Sequence, residues 1–272
     1  MDAGIVYPVV DGVPVLVPDP RGLLMQTSVR GLSSAQMARV DAPDAVTPHL
    51  PFGLLGAPGS FGQWLSAVGD DGPDAACAGF AADYAPDGPA VDVGCGLAPM
   101  ARRMVGLGRE AWAFDLSLDS VLIAKGVLSG ALPVVQIPTH RNGLRAVKVP
   151  FRPVTDVNYA VADAATPPFP RASFAWVHLG DVLDSTGDRH REVLYGAADL
   201  VQPGGILTVS SSFGMLDQPA EGRPPPEDAL LDEIGEMGFE IVGRSDRVPH
   251  VRRVYDRRFE VRMFFCVGAL RP

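Results

Sequence analysis

From residue 90 onward, short apolar runs alternate with stretches whose apolar residues recur at the helical period. Runs at 91–93, 111–114, 158–164, 175–179 and 201–210 read as strands, bounded by Gly, Pro, Asp or Asn. Residues 99–107, 118–128, 189–200 and 227–237 read as helices, with Gly108 and Gly238 as stops after the first and last. Strands that alternate with helices in this way form βαβ units around a parallel sheet. Two later apolar stretches, 239–242 and 258–267, complete the sheet, and a basic loop at 244–258 connects them.

Three other segments depart from this alternation. Residues 1–20 predict an N-terminal β-hairpin, with β-prone arms around the turn Asp11-Gly12. Pro8 and Pro14 lack the N–H that a central strand donates, so both arms read as edge strands. Residues 21–87 read as a helical cap with loops: helical runs at 32–38, 61–68 and 75–84 surround a Pro- and Gly-rich stretch at 42–58. Residues 131–154 read as an inserted hairpin whose tip is His140-Arg141-Asn142-Gly143. The rest of 88–272 forms one ligand-binding domain.

Composition narrows the class. With 47% hydrophobic and 20% charged residues over 272 positions, the chain is globular and long enough to bury a large core. A net charge of −9 gives no general attraction to phosphate backbones, which argues against nucleic acid as a partner. The three cysteines, Cys77, Cys95 and Cys266, form no C-x-x-C pair, so no metal site is expected and a reducing, cytoplasmic setting is. No export signal and no apolar run of about 18 residues is present, so neither secretion nor membrane insertion is expected.

Candidate chemistry concentrates where strands end. Asp92-Val93-Gly94-Cys95-Gly96-Leu97-Ala98 carries a strand into a glycine turn at the start of a helix, where free N–H groups face a ligand and no Cβ intrudes. Its spacing, D-x-G-x-G-x-A, differs from the dinucleotide fingerprint G-x-G-x-x-G/A. Asp115 closes the next strand, about 20 residues on, where doubly wound folds place the acid that accepts ribose hydroxyls. Asp163 closes the third strand, and Gly180-Asp181 the fourth. Asp181 and, second to it, His178 are candidates to face an acceptor. His250 sits in the basic segment with Arg252, Arg253 and Tyr255.

The D-x-G-x-G-x-A turn resembles the first motif of class I S-adenosylmethionine-dependent methyltransferases, usually D/E-x-G-x-G-x-G, with Ala98 in the last Gly place. "P-F-P-x-A-S-F" at 168–174 and "L-V-x-P-G-G-x-L-x-V" at 200–209 resemble later phrases of the same class. The resemblance implies a Rossmann-like seven-stranded α/β sheet ending in an antiparallel hairpin. It implies S-adenosylmethionine as cofactor, with Asp92, Gly94, Gly96, Asp115, Leu116, Asp163, Ala164 and Gly180 around it. Cap aromatics such as Phe52, Phe61, Trp64, Phe80 and Tyr84 become candidate lid residues. The segment 248–261 resembles the mercaptohistidine (ovothiol) N-methyltransferases, which implies a small acceptor held by groups such as Arg253, Tyr255 and Tyr84. The first 20 residues resemble the end of zinc-ribbon partners without their cysteines, and a homodimer contact is one role open to them.

The expectation is a methyltransferase acting on a small molecule, N-methylation ahead of O-methylation, with Asp181, His178 and His250 as candidate catalytic groups. The alternatives are an RNA base methyltransferase and a partner protein that binds the cofactor without transferring methyl.

Overall fold

A computed structural model describes residues 7–20, 23, 72–132, 134–138, 144–148, 152–213, 226–255 and 258–272, with the backbone alone described at 134–138, 144–148, 252–255 and 258–260. The chain forms β1 (Val9–Val10), β2 (Val13–Leu16), α1 (Pro73–Tyr84), β3 (Ala90–Val93), α2 (Pro99–Gly106), β4 (Ala111–Asp115) and α3 (Leu118–Leu128). It continues through β5 (Val134–Pro138), β6 (Leu144–Lys148), β7 (Val157–Ala162), β8 (Phe174–Gly180), α4 (His190–Leu200) and β9 (Val201–Ser211). It closes with α5 (Pro226–Glu236), β10 (Glu240–Tyr255) and β11 (Arg258–Leu270). Predicted helices 32–38 and 61–68, the aromatics Phe52, Phe61 and Trp64, and the hairpin tip at 140–143 lie outside the described residues.

The main sheet has the order β1-β2-β7-β4-β3-β8-β9-β11-β10. Its last seven members are the expected seven-stranded sheet: β7, β4, β3, β8 and β9 run parallel, and β11 is antiparallel to both β9 and β10. All strands of the parallel centre therefore deliver their C-terminal ends to one edge, and ligands of open α/β sheets collect in the crevice there. The centre is apolar on both faces, as a sheet sandwiched between helices must be. Phe174 to Leu179 is buried without a break.

Two expectations need correction. The N-terminal hairpin is found with β1 at the sheet edge, but β2 is not an edge strand, because it joins β7 in parallel, Val15 opposite Val161 and Leu16 opposite Ala162. Pro14 stands just before that paired stretch, so its missing N–H interrupts no bond to β7. Lys125 of α3 fastens the hairpin turn by donating to the Asp11 carbonyl. The basic segment 244–258 is not a loop either. It is most of β10, paired with β11 from Glu240 opposite Leu270 to Tyr255 opposite Arg258, with irregularities at three points. β9 pairs with β11 only over Phe265–Leu270, so residues 248–255 and 258–264 carry the hairpin past the strand ends and over the crevice.

Within the inserted segment, β5 and β6 pair as a separate antiparallel sheet. Of the cap, α1 lies across the sheet face beneath β9, β10 and β11. Cys77 is fully buried there with its thiol toward the Val209 carbonyl. Among the described residues, no helix is long and apolar enough to cross a membrane.

Phe80 of α1 seats against two glycines. A Cβ at Gly243 would come within 2.4 Å of its ring, and one at Gly268 within 2.8 Å of its Cβ and 3.0 Å of its ring. Overpacking of this kind costs about 1–3 kcal/mol. Gly243→Ala should lower stability by that amount in denaturant unfolding, and the loss should vanish in a Phe80→Ala background. An equal loss in both backgrounds would assign the cost elsewhere.

Candidate active site at the strand ends

The turn after β3 is built from left-handed backbone. Gly94, Gly96 and Ala98 have φ of 66°, 52° and 55°. At Gly94 glycine also serves space, since a Cβ would lie 2.4 Å from Val182 Cγ2. At Gly96 a Cβ would meet nothing within 4 Å, which leaves open space where a ligand can pass. Ala98 holds the same backbone region with a buried methyl, at a cost of about 1–2 kcal/mol. It is kept there by its N–H to the Cys95 carbonyl at 2.7 Å and by the helix it opens.

Asp92 supports this turn from below. It is 3% exposed and accepts the Ala101 N–H of α2 at 3.3 Å. Burial, and then the neighbouring Asp74 carboxylate, push its carboxyl well above the usual carboxylate range. Asp92 does not line the crevice, so its place among the cofactor contacts becomes a supporting one.

Asp115 joins β4 to the turn. One oxygen accepts the Gly96 N–H at 2.8 Å, the other the Ser117 N–H at 2.8 Å. Burial raises its pKa, against the pull of these backbone donors and that of Leu116. Ser117 caps α3, receiving the Ser120 N–H. At the end of β7, Asp163 accepts the Ala165 N–H at 3.0 Å and pairs with Arg189 at 3.0 Å; Arg189 also holds Glu192 at 2.9 Å. Gly94, Gly96, Asp115, Leu116, Asp163, Ala164 and Gly180 all line one cavity of about 670 Å³, within the range of small-molecule sites.

The far end of that cavity is formed by β8, β9 and the projecting hairpin. Asp181 follows β8 with φ 55°, an uncommon conformation for a residue with a side chain. Three residues on, Asp184 accepts the Ser211 hydroxyl at 2.8 Å, the Ser212 N–H at 2.9 Å and the Ser212 hydroxyl at 2.8 Å. These three hydrogen bonds fix the Asp184 carboxyl in place. Burial, followed by Asp184, pushes the Asp181 carboxyl up to about 7, with Arg262 and Ser212 pulling the other way. His250 and its register partner Arg262 come from the hairpin, and the His250 ring meets Phe264 edge-on at 5.4 Å.

Several expected residues are elsewhere. His178 lies under the floor, 1% exposed, with Nδ1 3.0 Å from the Thr208 hydroxyl, and burial lowers its pKa to about 3. A ring so resistant to protonation is no general base near neutral pH. Tyr84 is exposed at the last turn of α1, roughly 15 Å along the helix from Asp74, which lines the cavity at the first turn. Phe80 serves packing and is no lid. The side chains of Arg253 and Tyr255 lie outside those described.

Arg262, Asp184, Ser212, Arg189 and Asp74 are cavity residues that the sequence reading passed over. Asp184 stood three residues after Asp181, and Arg262 could be found only from the register of β10 against β11.

Comparison with known proteins agrees with this geometry. Residues 91–209 match a protein family described as a methyltransferase domain. No curated protein sequence matches the chain. Among solved structures, magnesium protoporphyrin IX methyltransferase from Synechocystis, crystallised with bound S-adenosylmethionine, is 17% identical with a TM-score of 0.50, covering 78% of this chain and 81% of that one. A methyltransferase from Bacillus halodurans is 15% identical with a TM-score of 0.50, covering 73% and 99%. A protein that converts a disulfide bond into a thioacetal group during echinomycin biosynthesis is 17% identical with a TM-score of 0.52, covering 75% and 87%.

At such identities the structural likeness shows the fold. Together, fold and domain match support a methyltransferase of the Rossmann-like class, with S-adenosylmethionine as its methyl donor. The residues present fit that donor: a turn without side chains at Gly94 and Gly96, an acid at the end of β4, and open space between them and Gly180.

Asp115→Asn keeps the size of the side chain but replaces one acceptor with a donor facing the Gly96 N–H. Titration calorimetry with S-adenosylhomocysteine should show affinity lowered tenfold or more. Unchanged affinity would place the nucleoside away from Asp115.

Proposed function

We propose that this chain transfers the methyl group of S-adenosylmethionine to a nitrogen of a small acceptor, with Asp181 taking the proton that the acceptor gives up. The observation that carries this reading is the pair of carboxyl groups at the end of β8: Asp184 held in place by Ser211 and Ser212, and Asp181 beside it with affinity for a proton near neutral pH. When bound, S-adenosylmethionine supplies a methyl group on a positively charged sulfur. The chain's own work is to present the acceptor's lone pair to it and to drain the proton.

Nitrogen suits this base better than oxygen. A group that titrates near 7 is matched to an azole or ammonium proton, whereas an aliphatic hydroxyl, far less acidic, calls for a stronger base or prior ionisation. Two neighbouring carboxyl groups also attract a cationic N–H. Arg262, from the projecting hairpin, lines the same cavity and favours an acceptor that carries negative charge at another point. One cavity must hold donor and acceptor together, which favours a compact acceptor. His250 lines the same end and is the second group able to handle a proton there.

Release of S-adenosylhomocysteine in a screen of amines, imidazoles and phenols tests the reaction; release with phenols alone would overturn the nitrogen reading. With the best acceptor, kcat/KM should rise through about pH 7 as Asp181 loses its proton, then level off. Asp184 raises the Asp181 pKa, so Asp184→Asn should move that limb to lower pH. Arg262 lowers it, so Arg262→Gln should move the limb upward. Asp181→Asn should cost about 10²-fold or more in rate and remove the limb. A limb that stays in place in all three variants would assign the titration to another group.

A further inference from the structure

A polar row lies directly beneath the cavity floor and takes no part in the proton chemistry above it. Trp176, His178 and Gly180 alternate along β8 and project from the same side of the sheet. Thr208, the register partner of His178 on β9, accepts the Trp176 Nε1–H at 2.8 Å. Its own hydrogen has two acceptors in reach, His178 Nδ1 at 3.0 Å and the Val177 carbonyl at 3.5 Å. The shorter contact is the better bond. Nδ1 is then the accepting nitrogen, and the neutral imidazole carries its single proton on Nε2.

Nε2 is aimed at the floor. A Cβ on Gly180 would stand 2.5 Å from His178 Nε2 and 3.3 Å from Cδ2, and the next nearest atom is also His178's. Gly180 is not among the glycines with positive φ, so its backbone does not demand glycine. The missing side chain therefore serves space. Gly180 lines the cavity, and a ligand atom a few tenths of an ångström farther out than an alanine methyl would be falls within about 2.7–3.2 Å of Nε2, the range of a hydrogen bond.

We propose that His178 binds the methyl donor through this gap, its Nε2–H donating to the carboxylate at the amino-acid end of S-adenosylmethionine, directly or through one water. The inference rests on the donor reading above. Strand order sets Asp163, Asp115, the glycine turn and Gly180 in line across β7, β4, β3 and β8. With the ribose at Asp115, the amino-acid end reaches toward Gly180. That end carries one ammonium and one carboxylate. Asp74 on the cavity wall suits the ammonium, and an uncharged N–H donor suits the carboxylate.

Titration calorimetry with two ligands separates this role from a structural one. S-adenosylhomocysteine has the amino-acid end, and 5′-methylthioadenosine has the nucleoside and sulfur without it. His178→Phe should weaken S-adenosylhomocysteine about tenfold and leave 5′-methylthioadenosine unchanged, while His178→Gln, which restores an N–H, recovers most of the loss. Gly180→Ala should show the same selective loss, and Gly180→Ala with His178→Ala should regain thermal stability without regaining affinity. In the unsubstituted protein, ¹⁵N spectra of the histidine ring should show the Nε2–H tautomer, with Nε2 shifting on addition of S-adenosylhomocysteine and not of 5′-methylthioadenosine. Equal loss for both ligands, no loss, or an Nδ1–H tautomer would overturn the proposal. Failure of both ligands to bind the unsubstituted protein would instead remove the donor reading beneath it.

Discussion

The bond from the Gly96 N–H to Asp115 fixes the shape of the whole donor half. Three alternate residues of the turn lie in the left-handed region, and isolated chain has little reason to stay there. Its amides keep their direction because a carboxylate on the neighbouring strand accepts one of them. The same carboxylate takes the Ser117 N–H and so sets where α3 begins. One side chain thus registers β3, β4 and two helix starts. Its burial raises the cost of the charge, and the backbone donors around it offset that cost.

The acceptor half follows a different rule. It is assembled from the ends of two strands, β8 and β9, and a projecting hairpin. Asp184 spends both oxygens on Ser211 and Ser212, which ties the end of β8 to the end of β9. Asp181, buried and next to that anchored carboxyl, cannot ionise as easily as a lone exposed one.

Much of this was legible in the sequence. The glycine turn, Asp115 and the Pro-Gly-Gly entry to β9 are local signals, since each depends on residues adjacent in the chain. The strands and helices from 88 onward were likewise visible, because a parallel sheet shows as apolar runs and its helices as a period. What the sequence did not show depends on partners far along the chain. The stretch 244–255 looked like a loop because Pro249 and the arginines read as breakers and solvated charge, yet β11 pairs with it along its length. Arg262 reaches the cavity only because that pairing sets it opposite His250. His178 looked like a base because histidines often are, and only its burial between β3 and β9 shows a ring held neutral. Asp92, the most family-like acid, supports the turn and does not line the cavity.

The seating of Phe80 on Gly243 and Gly268 also bears on how the chain is made. α1 is synthesised early, but the surface that receives it comes from strands near the C-terminus, and Cys77 likewise waits for β9. Asp74, carried on the same helix, reaches the cavity wall only once those strands are in place. Contacts so distant in sequence form late and slowly. A nascent chain ending before β11 has its glycine turn and Asp115 but only part of the surface that receives α1, since β9 and β10 are present and β11 is not.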